Sequence, residues 1–274
     1  MTRLISLLLN LAFVFKSSHA ACADDWPTCR NGFANIACEV GGTCEGKGDC
    51  EIMEHDVEFR RFALEEHNKW RNYLALGKET RGGNGEAADM RALSYDVKLE
   101  FTARCNLVFC KMEHDKCHAT SKFKSAGQNL YSQTGGSAAG THKSVSLWYE
   151  ECNDTTAEQI DHFKRSTHVH IGHFTQLVWS KVTHVGCSRS TTGKSWYVAC
   201  NYGPSGNWKD DPVYKRGPAC SACPHGTKCN AKYPGLCGEI DESDLKAIPL
   251  HGHRLGTSFL ASLFLPALLA FLLM

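Results

Sequence analysis

Residues 169–187 read VHIGHFTQLVWSKVTHVGC, and the chain continues as SRSTTGKSWYVACNYGP to residue 204. Two runs rich in β-formers, Val185 to Ser190 and Ser195 to Tyr202, flank Thr191 to Lys194 with Gly193 in the turn. That is the pattern of a β-hairpin. Cys187 and Cys200 could be cross-strand neighbours that bridge it. The half before the hairpin is apolar, yet it carries His170, His173 and His184. His173 follows Gly172 directly and stands close to Leu177, Val178 and Trp179. It could be a metal ligand, a general base, or a core residue satisfied by hydrogen bonds. His168 and His170 precede it in a polar loop and read as solvated.

Helical patterns lie upstream. Asp56 is a plausible N-cap for a run in which Phe59, Phe62, Ala63, Trp70, Tyr73 and Leu74 recur at helical spacing, and Gly77 ends it. After the glycine-rich connection 78–90, Asp96 opens a second helix with Leu99, Ala103, Asn106, Leu107 and Cys110 on one face. In THKSVSLWYEEC, Val145, Trp148, Tyr149 and Cys152 form a complete amphipathic stripe. Helices followed by a hairpin give an α+β class or a three-layer sandwich. Trp148, Trp179 and Trp196 each fall on the apolar side of an element and read as core.

The ends set the compartment. Arg3, an apolar run from Leu4 to Phe15, and Ser18 and Ala20 before the cut form a secretory signal peptide, cleaved after Ala20 or after Ala23. Fifteen cysteines fit an oxidising lumen. Cys220, Cys223, Cys229 and Cys237 have a spacing that could bind zinc, but in a secreted chain they read as disulfides. Because the count is odd, one thiol is unpaired, lost with the signal peptide, or bonded to another chain. Asn153-Asp154-Thr155 is a glycosylation sequon that requires an exposed loop. A net charge of +1 gives no reason to expect nucleic acid.

At the far end, Phe259 to Met274 reads FLASLFLPALLAFLLM, without a charge. The stretch is marginal for crossing about 30 Å of hydrocarbon. It is read as a lipid-anchor attachment signal, as a spanning tail, or as neither, with the best small-residue attachment point near Ser243.

HNKWRNYLALG (67–77), AGQNLY (126–131), GHFTQLVWSKVTHVGCS (172–188) and YVACNYGPSGNW (197–208) occur in this order. Together they resemble the signatures of the CAP superfamily of cysteine-rich secretory proteins, antigen five and pathogenesis-related proteins. GKETRG (77–82) and the N-terminal cysteines look most like arthropod antigen-five venom or salivary allergens. The resemblance implies a three-layer α-β-α sandwich, the CAP or SCP domain, at 57–215. A signal peptide (1–20) and a cysteine-rich extension (21–56) precede it. A cysteine-rich hinge-like region (216–237), a linker (238–258) and the apolar tail (259–274) follow. The family pattern implies Cys22–Cys38, Cys29–Cys117, Cys187–Cys200, Cys220–Cys229 and Cys223–Cys237. It pairs Cys110 with Cys44 or Cys50, gives the other to Cys105, and leaves Cys152 odd.

In many relatives two histidines and two acidic residues face each other across a wide cleft. Their positions here are His114, Gln128, Glu151 and His173, so one carboxylate is replaced by an amide. His114, His173 and Glu151 are then candidate ligands for weakly held Zn²⁺ or another divalent cation, and Gln128→Glu is expected to tighten zinc at least tenfold, about 1.4 kcal/mol. His67 belongs to a signature but reads as a packing brace. The expected function is a non-enzymatic, secreted or surface-anchored protein that binds a lipid, sterol or amine, or an extracellular protein. One alternative is a metal-assisted hydrolase using His114, Glu151 and His173. The other is a disulfide scaffold at the cell surface, attached to the membrane through the tail.

Overall fold

The computed structural model describes residues 22, 26–53, 57–165, 168–248 and 250. The signal peptide, Asp56 as a helix cap and the apolar stretch 259–274 lie outside these residues. In chain order the helices are α1 (Ile36–Glu39), α2 (Val57–Ala75), α3 (Val97–Asn106), α4 (Ser144–Glu150), α5 (Ala157–Asp161) and α6 (Gly172–Leu177). The strands are β1 (Glu51–Ile52), β2 (Ser94–Tyr95), β3 (Gly127–Thr134), β4 (His184–Thr191) and β5 (Ser195–Gly203).

β4 and β5 pair antiparallel with Cys187 opposite Cys200, and β3 extends the sheet along the other edge of β5. β1 and the parallel β2 pair with opposite ends of β4. Period-two alternation then sorts the side chains between two layers. Val185, Cys187, Val198, Cys200 and Tyr202 join the main core with Phe59, Ala63 and Leu64 of α2, Trp148 of α4 and Phe174 of α6. Ala199 and Leu130 face the other way, onto Ala103 and Leu107 at the end of α3. The result is an α-β-α sandwich. A Cβ on Gly186 would overlap the backbone of Asp96, Leu99 and Glu100, so glycine is what allows α3 to lie directly on β4.

α2 ends as expected, with Gly77 at φ 68° donating its N–H to the Leu74 carbonyl at 2.8 Å. Asp96 caps α3 by accepting from the N–H groups of Lys98 and Leu99. The expected face of that helix is too long by one turn. The chain tightens into a 3₁₀ turn at Leu107–Phe109, and Cys110 turns out of the helix at φ 49° to bond Cys50. The third helical pattern divides into a 3₁₀ turn at Ala138–Lys143, α4, and a 3₁₀ turn at Glu151–Asp154, while Val145, Trp148, Tyr149 and Cys152 all stay buried. Trp179 is fully buried and Trp148 nearly so, but Trp196 is only half-buried. It pairs with Thr191 beside the hairpin turn, where the covering layer has ended.

The cysteines bond as Cys22–Cys38, Cys29–Cys117, Cys44–Cys105, Cys50–Cys110, Cys187–Cys200, Cys220–Cys229 and Cys223–Cys237. Cys152 is free and buried.

The segment read as a linker after residue 237 is, up to Ala247, part of the body. Leu245 is 1 % exposed and belongs to the main core. The Asp244 carboxylate accepts the Val97 N–H at 3.0 Å, at the start of α3. Buried Arg60 of α2 pairs with Glu100 at 2.7 and 2.9 Å and also donates to the carbonyls of Asp244, Leu245 and Ala247. A charge-dense sequence such as DESDLKA hides this, because one leucine among charges carries no periodic signal.

Candidate functional site

A cleft of about 950 Å³ opens between the start of β3, the loop before α6, the N-terminal turn of α6, and the turn after β5. His114, Gln128 and His173 line it; Glu151 stands behind His173. The four positions of the family pattern therefore act as two pairs.

On one wall, the 3₁₀ turn that follows α4 delivers Glu151 to the start of α6. Its Oε2 accepts the backbone N–H groups of His173 at 2.9 Å and Phe174 at 3.1 Å, and its Oε1 lies 2.6 Å from His173 Nδ1. A carboxylate at this position satisfies donors that a helix start leaves unpaired and orients the imidazole as well. His173 also lies near-parallel to Trp148, with ring centroids 6.1 Å apart.

On the other wall, His114 Nδ1 meets Gln128 Oε1 at 2.8 Å. The orientation of this amide follows from its other partners. Gln128 Nε2 donates to Asp115 Oδ2 at 2.8 Å and to Asn201 Oδ1 at 3.0 Å, both acceptors, so its oxygen must face His114. His114 then donates through Nδ1–H, leaving Nε2 as the lone-pair nitrogen. Desolvation by the cleft walls holds the His114 pKa below the ordinary imidazole value. Positive charge on His173 or His118 would act in the same sense.

Asp115 is the residue that sequence reasoning missed. Its side chain is 2 % exposed and contacts His118 Nδ1 at 2.7 Å. It also accepts from the Cys117 N–H at 3.0 Å and from Asn106 Nδ2 at 3.2 Å. Burial opposes its ionisation, but the hydrogen bond and charge of His118, with the donors from Gln128 and Cys117, hold its pKa below the usual carboxylate range. The carboxylate missing at position 128 is thus present behind the amide. A usable signal was its place directly after His114 and two residues before Cys117, where an aspartate closes a turn on its own backbone.

His67 plays the bracing role expected of it. Fully buried, it contacts the Ala63 carbonyl through Nδ1 at 2.6 Å and the Tyr202 hydroxyl through Nε2 at 2.8 Å. Asn129 Nδ2 donates to both that hydroxyl and the His173 carbonyl, which connects the core of α2 to the cleft wall. His168 and His170 are exposed, and Asn153 is exposed on its 3₁₀ turn.

The ring nitrogens decide what the site could hold. Both Nδ1 atoms are tied back, and among the described residues neither Nε2 has a hydrogen-bond partner. Imidazoles backed at Nδ1 and open at Nε2 suit a divalent cation. Glu151 supports a ring here and is not placed as a third ligand. Among the described residues, only Cys220, Cys223 and Cys237 bring three ligand atoms within 4.8 Å of one another, and all three are bonded in disulfides.

Comparison with known proteins gives a consistent picture. The profile of the cysteine-rich secretory protein family, CAP, matches residues 64–202. Scoloptoxin SSD976 of Scolopendra dehaani is 33% identical over 192 residues, covering 69% of this chain and 88% of that protein. Venom allergen 5 of Vespula maculifrons is 32% identical over 199 residues, covering 68% of this chain and 96% of the allergen. The crystal structure of NaASP2 with Zn²⁺ superposes with a TM-score of 0.56 at 29% identity, covering 65% of this chain and 94% of that one.

Proposed function

The chain belongs to the cysteine-rich secretory protein family, CAP, and from that premise we propose that this extracellular, venom-allergen-like protein is a non-enzymatic binder whose cleft takes a small ligand. The observation that carries the reading is the open cleft with two imidazoles facing it, each held from behind. Polar groups fixed before a ligand arrives lose little entropy when it binds. Candidate ligands are a lipid, a sterol or an amine, and an extracellular protein could also dock at the cleft mouth.

Zn²⁺ fits the same pair. His114 and His173 would hold it through Nε2, with solvent or ligand oxygen completing the shell, and two protein ligands make for weak binding. The likeness to a chain solved with Zn²⁺ supports this reading. Bound there, the ion would supply positive charge to a ligand oxygen.

The hydrolase reading has less support. It needs a base, and both Glu151 oxygens are committed to His173 and the start of α6. Ser205, the hydroxyl in the cleft lining, donates to the Gly206 carbonyl and contacts neither histidine.

Isothermal titration with zinc chloride tests the site. His114→Ala and His173→Ala should each abolish binding, while Glu151→Gln, which loosens the ring without removing a ligand, should weaken it by about tenfold. Equal binding by all of these variants and the wild type would make both histidines structural.

We also propose that the apolar stretch 259–274 directs attachment to the outer face of the plasma membrane. A lipid attachment point must then lie beyond Ala247, because Leu245 and the carbonyls held by Arg60 are part of the core.

A further inference from the structure

The hinge-like region folds its cysteines into one small volume. The Sγ atoms of Cys220, Cys223 and Cys237 all lie within 4.8 Å of one another, although the bonds run Cys220–Cys229 and Cys223–Cys237. Cys220 and Cys223 stand three residues apart in the stretch CSAC (220–223). The chain reverses there: Ser221 donates its N–H to the Pro218 carbonyl at 3.0 Å, and Cys220 is at φ 62°. Each of these three sulfurs therefore has another sulfur close by besides its bonded partner.

Cys229 completes an alternative set. It and Cys237 are antiparallel bridge partners. Asn230 donates its N–H to the Leu236 carbonyl at 2.7 Å, and Gly238 donates to the Lys228 carbonyl at 2.8 Å. These flanking bonds make Cys229 and Cys237 a non-hydrogen-bonded pair, whose Cα atoms stand about 4.5 Å apart, within the span of a disulfide. Cys187 and Cys200, register partners on β4 and β5, already carry such a bridge with Cα atoms 4.1 Å apart. One backbone thus suits two bonding sets, Cys220–Cys229 with Cys223–Cys237, or Cys220–Cys223 with Cys229–Cys237. The backbone bonds to the body do not depend on the choice. Ala222 donates to the Ala88 carbonyl at 2.9 Å, Cys237 donates to the Met90 carbonyl at 2.7 Å, and the Cys237 carbonyl accepts from Ala92 at 2.9 Å.

Exposure decides where exchange begins. Cys229 is exposed, Cys237 is buried, and Cys220 and Cys223 are intermediate. Lys228, next to Cys229, is also exposed, and positive charge beside a sulfur favours a thiolate there. The free thiol of the described residues, Cys152, is buried, so the nucleophile comes from outside. We propose that this region is an exchange site for external thiols, at which a small thiol catalyses conversion of one bonding set into the other. The thiolate attacks Sγ of Cys229, forms a mixed disulfide there and expels Cys220 as a thiolate. Cys220 attacks Cys223, closes the Cys220–Cys223 bond and expels Cys237. Cys237 attacks Cys229, closes the Cys229–Cys237 bond and returns the small thiolate. Each step forms one S–S bond and breaks one, so no oxidant or reductant is consumed. Two bridges that tie the 217–224 loop to the 229–237 hairpin become one bridge inside each piece. The loop is freed from the hairpin without opening the sandwich.

Trypsin provides the readout. Arg216, Lys228, Lys232 and Lys246 divide the region into peptides 217–228, 229–232 and 233–246. The present set links all three peptides. The alternative set leaves 217–228 as a single, internally bridged peptide and joins the other two. The mature protein is incubated anaerobically with sub-stoichiometric glutathione, with S-methylglutathione as the control. It is then blocked with N-ethylmaleimide, digested without reduction and analysed by mass spectrometry. Glutathione should convert at least about one tenth of the molecules to the alternative set, and S-methylglutathione none. Cys229→Ser removes the entry sulfur and leaves Cys220 as a thiol. That variant should take up maleimide at Cys220 in some molecules and at Cys237 in others with no glutathione added, because the second step is internal. Persistence of the three-peptide species alone, glutathione stalled on Cys229, or equal scrambling with cysteines elsewhere in the chain would each overturn the proposal. Labelling of Cys229→Ser at Cys220 alone would do the same.

Discussion

Both ring nitrogens of His67 are occupied and its side chain is fully buried, and that burial pushes its pKa down to about 4, with the Arg71 charge adding to the effect. The unfolded chain takes up a proton below about 6.5, whereas the folded protein does not until about 4. This contribution is complete above the unfolded value and lost progressively as pH falls through that window, by about 3 kcal/mol in all. Denaturant melts between pH 7 and 4 should therefore lose more stability in the wild type than in His67→Gln, and equal slopes would refute the assignment. Gln128 leads to a second expectation, opposite to the one its sequence position suggests. A glutamate there would face Asp115 Oδ2 and Asn201 Oδ1, where the amide now donates at 2.8 and 3.0 Å. Gln128→Glu should thus lower the melting temperature and fail to tighten zinc, and a tenfold gain by titration would show that the wall rearranges. The family's cleft pattern, carried over position by position, identified His114, Glu151 and His173. That pattern does not include Asp115, whose partner Gln128 is thirteen positions away and is met only after β3 has joined the sheet.

At the scale of elements, the hairpin and the three apolar helical patterns were legible because each carries its own period. β3 was quoted as a motif without being recognised as a strand. GQNLYSQT is half polar, and its burial alternates only in the second half, where the strand approaches the turn. The strap from Asp241 to Ala247 was illegible for a related reason, since its hold comes from Arg60, far away in the chain. Leu245→Ala should destabilise the protein by about 2–5 kcal/mol, the usual range for a buried leucine in a packed core. Truncation after Ser243 should do at least as much harm, since it also strips acceptors from a buried guanidinium. Chemical denaturation of both variants beside a chain ending at residue 250 provides the check. If truncation after Ser243 leaves stability unchanged, the strap is ornamental.

For the whole molecule, the disulfides close loops of very different length, and the chain-entropy model makes their ranking testable. Cys29–Cys117 spans 88 residues and Cys187–Cys200 spans 13. Replacing the first pair by serine should cost about 4–5 kcal/mol and the second about 3 kcal/mol, so the hairpin variant should melt higher of the two. The reverse order would mean that strain or residual structure dominates. Family patterns made these pairings legible, but the free thiol acquires its meaning only from the fold. Cys152 is fully buried beside Glu79, and burial pushes its pKa up to about 12. In that state it is protonated and out of reach, so exchange with neighbouring bridges is suppressed. Its parity problem is solved by concealment, which makes Cys152 a clock. A maleimide in the medium can mark it only during the moments when the turn after α4 lifts away. The marking rate therefore counts excursions of the native state, with no need to engineer a reporter.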